Sequence, residues 1–120
     1  MAEYKNIETP VLDILGQPWT ITFASQAEDK LLEDYDGYCD KTTHRIVVSS
    51  MSEDCTLRDP IQYKRKLIRH EIIHAFLYES GLHGCVDWNN GDSEHPEMLV
   101  DWFAVQLPKI VKTCEMISAI

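Results

Sequence analysis

Two histidines four residues apart, His70 and His74, enclose a glutamate, Glu71, in the segment RHEIIHAFLYESGL (69–82). On an α-helix, positions i and i+4 lie on one face a turn apart, so both imidazoles can reach one metal ion. Zinc suits such a pair, with nitrogen ligands at about 2.0–2.1 Å. Glu71 lies about 100° around the helix from His70 and can lean over the same ion. There it can act as general base and take the proton of an activated water, which is hydrolytic chemistry.

A catalytic zinc needs three protein ligands and one open position. In HPEMLVDWFA (95–104), Glu97 and Asp101 stand one helical turn apart on the same face. Glu97 can be the third ligand. Asp101 can accept the distal N–H of a ligating imidazole and hold its tautomer. Both carboxylates share a face that is otherwise apolar (Leu99, Val100, Phe103, Ala104, Leu107), where a cation or a partner would offset the cost of burial. His83 and His95 remain alternatives as third ligand, or as donors toward a substrate or oxyanion. Trp88, between the two ligand segments, is a candidate substrate wall, and Tyr78 is a further oxyanion candidate with a core role as its rival. A metzincin extension would need Gly at position 77 and His at position 80, but Leu77 and Ser80 stand there.

These residues require a rigid helix. Asp59 can cap its N-terminus, Pro60 fits the first helical position, and Gly81 sits where a C-terminal cap belongs. Between Ile61 and Ser80 there is no Gly or Pro. Leu67, Ile68, Ile72, Ala75 and Phe76 make a broad apolar face, so burial is expected. Upstream, TPVLDILGQPW reads as a short apolar turn ended by Gly16 and Pro18. WTITFAS (19–25) reads as a strand, and EDKLLEDYDG (28–37) as a loop or short helix. GYCD (37–40), KTTH (41–44, with His44) and RIVVSS (45–50) suggest a hairpin. Residues 83–95 read as loop. A second helix is expected from about Pro96 to Leu107, broken or bent at Pro108, followed by a helical pattern to the end of the chain. Strands followed by helices imply an α+β fold.

The 120 residues suit one domain with one modest core. A net charge of −9 speaks against nucleic acid as a main partner, since phosphate binding needs clustered cations. The basic run YKRKLIR (63–69) is therefore read as a solvated or acid-paired face. No apolar run reaches the roughly 20 residues of a membrane span, and MAEYKNIETP is too polar for a secretory signal. The expected compartment is the cytoplasm. The four cysteines, with no C-x-x-C pair among them, are expected as free thiols. Trp19, Trp88 and Trp102 are expected in the core or lining a pocket.

HEIIH followed by EMLVD resembles the HExxH…ExxxD signature of gluzincin metallopeptidases. More narrowly, it is similar to the small ImmA/IrrE-type metallopeptidases of bacteria, phages and mobile elements. In that family the third-ligand helix often reads E-x-x-A-[ND]-x-F-A. Glu97, Asp101, Phe103 and Ala104 match it, and Val100 replaces the alanine. HAFLYESGL and VDWFAVQLPKI resemble small phage-encoded members, which implies the cytoplasm of a bacterial host. The resemblance covers about residues 60–110 and implies a minimal zincin-like fold, with a small sheet packed on an active-site helix and then a ligand-bearing helix. It implies a Zn2+-dependent peptidase acting on a peptide or protein substrate, in some members a repressor. His70, His74 and Glu97 become ligands, Glu71 the general base and Asp101 the outer carboxylate. The partner-sensing or DNA-binding domain of longer members is not expected within these 120 residues. Two rivals remain: a zinc-binding but non-proteolytic phage regulatory or interaction protein, and a metal-free interaction module.

Overall fold

The computed structural model describes residues 9–51, 55–85 and 97–120. Its architecture is a small mixed α+β fold. A four-stranded sheet is built from β1 (Val11–Ile14), β2 (Gln17–Ala24), β3 (Gly37–Asp40) and β4 (Arg45–Ser49), in the order β1-β2-β4-β3. Helix α1 spans Pro60–Glu79, a single turn α2 spans Leu82–Cys85, and α3 spans Glu97–Met116. A 3-10 turn at Lys30–Glu33 occupies the segment expected as loop or short helix, with the Asp29 side chain capping it.

The stretch read as an apolar turn before Gly16 is instead a strand. Leu12 and Ile14 alternate inward along β1, and both are buried. Leu15 (φ +53°) and Gly16 (φ +90°) form the two-residue link into β2, the backbone twist that tight hairpins favour. Pro18 is tolerated in β2 because the pairing with β4 begins only at Thr20. β2 and β4 run parallel, and β3 returns antiparallel along the outer side of β4. The expected 37–50 hairpin is present, its turn held by the Asp40 carboxylate, which accepts from the Thr42 amide at 2.9 Å.

α1 has the expected ends. The Asp59 side chain accepts from the Gln62 amide at 3.0 Å, Pro60 opens the helix, and Gly81 (φ +79°) follows the last turn. Ile68, Ile72, Ala75 and Phe76 enter one core cluster with Trp19, Ile21, Ile46 and Val48 from the sheet. α1 packs on β1, β3 and β4, and α3 packs on α1 and β1. Two links close the arrangement: Thr113 Oγ1 donates to the Asp13 carbonyl at 3.2 Å, and Arg69 Nη1 donates to the Ala119 carbonyl at 2.7 Å. Lys64 lies over the Phe23 ring at 4.3 Å and Lys66 over Tyr63 at 5.8 Å, so part of the basic run is spent on local aromatic contacts.

Two expectations for the last helix are corrected. α3 continues through Pro108, so of the break or bend expected there the break does not occur. Proline costs the helix its own N–H and crowds the carbonyl four residues before it, but buried Ile110 and Cys114 beyond it stay anchored in the core. Leu107, expected on the apolar face, is exposed, and the buried face falls instead on Ile110, Thr113 and Cys114. Residues 83–85, the start of the segment expected as loop, belong to the α2 turn. Cys39, Cys55 and Cys114 are free thiols. Among the described residues no helix is long and apolar enough to cross a membrane.

Trp19, fully buried, donates its indole N–H to Glu79 Oε1 at 2.7 Å, and His44 Nε2 approaches the same oxygen at 3.2 Å. This contact joins β2, the β3–β4 turn and the end of α1. Glu79→Ala should cost about 1–3 kcal/mol, because a buried indole donor loses its acceptor. Urea unfolding checks this, with Glu79→Gln expected to recover part of the loss by keeping a carbonyl acceptor.

Candidate metal centre

The central part of α1 gathers the titratable groups. His70 and His74 point their Nε2 atoms toward each other at 3.1 Å, with ring centroids 4.8 Å apart and planes 71° apart. Two nitrogens bound to one tetrahedral zinc at 2.0–2.1 Å would lie about 3.3–3.4 Å apart. The pair therefore already has nearly the spacing a shared ion imposes. Without an ion, the same contact requires one ring to carry its proton on Nε2 and donate it to the other.

Burial lowers the pKa of His74 first, and the neighbouring His70 and His83 lower it further. A neutral imidazole with an available lone pair is the form that ligates metal.

Glu71 lies against the start of β3, its carboxyl beside Gly37. It is 5% exposed and has no hydrogen bond or ion pair with any described residue. Burial alone pushes its carboxyl up to about 7. A buried carboxyl with no partner among the described residues calls for an explanation, and functional sites are where such groups gather.

Lys66, Leu67, His70 and Glu71 of α1 line a cleft of about 310 Å³ together with Asp34, Tyr35, Asp36 and Gly37. A larger cavity of about 570 Å³, beside Ser25, Ser49 and Tyr63, does not touch the histidines or Glu71. Cys39, next but one to Gly37 on β3, has its thiol pushed up to about 12, by burial first and then by the charges of Glu71 and Asp40. It is thus held protonated.

The remaining candidates extend from this centre. Tyr78, one turn after His74, is half-buried against the core; its ring lies 6.4 Å from that of His74 and 4.6 Å from that of His83. Burial raises its hydroxyl pKa, as do Cys39 and Glu71. Lys41 lies 5.4 Å from the centre of the Tyr78 ring. His83, on α2, therefore neighbours the pair through Tyr78.

Among the described residues, no three His, Cys, Asp or Glu side chains are grouped closely enough to hold a metal ion. Glu97 opens α3 and Asp101 follows a turn later, but their side chains lie outside the described residues, as do Trp88 and His95 altogether. Trp19 is core as expected, and Trp102 is half-buried, edge-on to Phe103 at 5.0 Å.

Sequence reasoning missed the β3 wall, Gly37 above all. The only signal was a glycine at the start of a short strand, and nothing local ties that strand to α1. Compared with known proteins, the chain matches no family model, no curated protein and no solved structure.

Proposed function

We propose that the protein is a zinc-dependent metallopeptidase of minimal zincin type, hydrolysing peptide bonds in a protein substrate. The observation that carries this reading is the 3.1 Å convergence of His70 and His74 Nε2 beside Glu71, which is buried and has no hydrogen-bond partner among the described residues. His70 and His74 would hold the ion, with Glu97 from the start of α3 as third ligand and Asp101 supporting a ligating imidazole. Bound zinc supplies Lewis acidity toward the scissile carbonyl and makes water a stronger acid.

Glu71 does the proton work. Its carboxylate accepts the water's proton and returns it to the leaving amine. Burial raises the Glu71 carboxyl above the ordinary carboxylate range in the metal-free chain, which makes it a stronger base than a solvated glutamate. Access is through the cleft between α1 and the start of β3. A regulatory protein such as a repressor is the substrate class that the ImmA/IrrE-type resemblance implies.

The test is metal analysis after chelation and reloading. Wild type should take up one zinc per chain and His74→Ala none. Asp101→Ala should bind zinc about 10–100-fold more weakly. Glu97→Ala should also weaken binding, and unchanged affinity there would move the third ligand to His83 or His95. A wild-type protein that takes up no zinc overturns the reading.

A further inference from the structure

We propose that the cleft beside Glu71 is a specificity subsite for a basic side chain, Lys or Arg, on a substrate residue flanking the scissile bond, with Asp34 and Asp36 as its counter-charges. This deepens the peptidase reading above and rests on it for its place in a reaction; the binding itself needs neither metal nor turnover. His70 and Glu71, the groups assigned to the ion and the water, line the same cleft as Asp34 and Asp36. A side chain lodged there therefore belongs to a residue next to the reacting carbonyl. Glu71 points to a ligand on separate grounds, since it is 5% exposed and has no hydrogen-bond partner among the described residues.

Charge selects the occupant. The cleft sets two aspartates against one lysine, Lys66, and among the described residues neither aspartate has a cation within ion-pair distance. The Lys66 ammonium lies instead 5.8 Å from the centre of the Tyr63 ring. The Tyr63 hydroxyl donates to Oδ2 of Asp36, which leaves Oδ1 without a partner among the described residues. Asp36 also lines the neighbouring cavity of about 570 Å³, where it is the only charged residue among the described lining residues. A long head group reaching past Asp36 thus meets the hydroxyls of Ser25 and Ser49 rather than a competing cation. The wall is held in place before any ligand arrives. The Asp34 and Tyr35 amides donate to the Leu31 carbonyl at 3.3 and 3.1 Å, and the Asp36 carbonyl accepts from the Ser49 amide at 2.8 Å. Tyr35, 61% exposed, and Leu67 offer apolar surface to the methylene stem of a lysine or arginine. The net charge of −9 draws basic peptides toward the protein as a whole.

The test is a titration of 15N-labelled, metal-free protein with the N-acetyl methylamides of arginine, lysine, norleucine and glutamate, read by amide chemical shifts. The two basic probes should shift residues 34–37 and 66–71 saturably, with norleucine and glutamate at least about 10-fold weaker. Asp36→Asn keeps an acceptor for Tyr63 and removes the charge, so it should weaken the basic probes about 10-fold. Asp34→Asn, at an exposed position, gives the same comparison if the first variant fails to fold. Equal binding of norleucine overturns the proposal, as do tighter binding of glutamate, which would make Lys66 the selecting charge, and shifts confined to other residues. In turnover by the zinc-loaded protein, a mixed peptide library should show Lys or Arg enriched at one position beside the cut. Asp36→Lys should move that preference toward Asp or Glu, and an unchanged preference overturns the proposal. An inactive wild type would overturn the peptidase reading, and the titration would still decide whether the cleft selects basic side chains.

Discussion

Replacing Glu71 by Gln is expected to leave zinc uptake at one ion per chain and to lower peptidase kcat by about 100- to 10,000-fold, the usual contribution of a positioned acid–base group. The substitution keeps size and shape in a site where the side chain is 5% exposed and packs against Gly37, so packing should survive. It removes the one property the mechanism needs, a group able to take and return a proton near neutral pH. KM should change little, because the carboxylate acts on the water rather than on substrate binding. Steady-state kinetics on a protein substrate with zinc content measured on the same samples check this. Equal cleavage by the variant would show that Glu71 is not the base. A wild type that binds zinc but cleaves nothing would favour the non-proteolytic interaction protein.

The second large effect is on stability. In the metal-free protein, Glu71→Gln should be more stable than wild type above pH 7, by up to about 3 kcal/mol, and the advantage should disappear near pH 4. The sign follows from the carboxyl's rise from 4.5 to about 7 on folding. Between these values the folded state keeps a proton that the unfolded state has released. Wild-type stability therefore falls as pH rises through this window, and the full penalty is present above it. Glutamine carries no such penalty at any pH. His74 works in the opposite sense: its lowered pKa means that folding is opposed when acid would charge the ring. Comparing the two proteins at each pH cancels that contribution, so denaturant unfolding from pH 4 to 8 isolates Glu71. A difference that stays constant across the range would mean that the carboxyl is not held protonated by the fold.

The same residue thus links stability to the proposed activity. A carboxylate that is costly to bury is retained in the core-facing part of α1, where an apolar residue would serve the fold better. Functional sites are where such conflicts between local stability and chemistry are expected. Trp19–Glu79–His44 shows the contrast: there the acid accepts from a buried donor and has a structural use.

Much of this was legible in the sequence, because it depends on residues close together along the chain. Asp59, Pro60 and Gly81 are local stop and start signals, and α1 begins and ends with them. The i, i+4 spacing by itself puts His70 and His74 on one face, since helical geometry needs no tertiary partner. The 37–50 hairpin likewise follows from turn residues between two β-branched or aromatic runs.

What lay beyond the sequence depended on packing between distant segments. TPVLDILG became β1 because β2 was available to pair with it and the core to receive Leu12 and Ile14. α3 passed through Pro108 because its downstream face was anchored, which local propensity does not register. The strand order β1-β2-β4-β3 brings Gly37 next to Glu71, a residue 34 positions further along the sequence. The sequence by itself therefore determined which groups the proposed metal and proton chemistry would use, together with the helix that aligns them. Only the tertiary structure decided what lies against Glu71, because burial and a shifted pKa come from neighbours that the chain supplies from elsewhere.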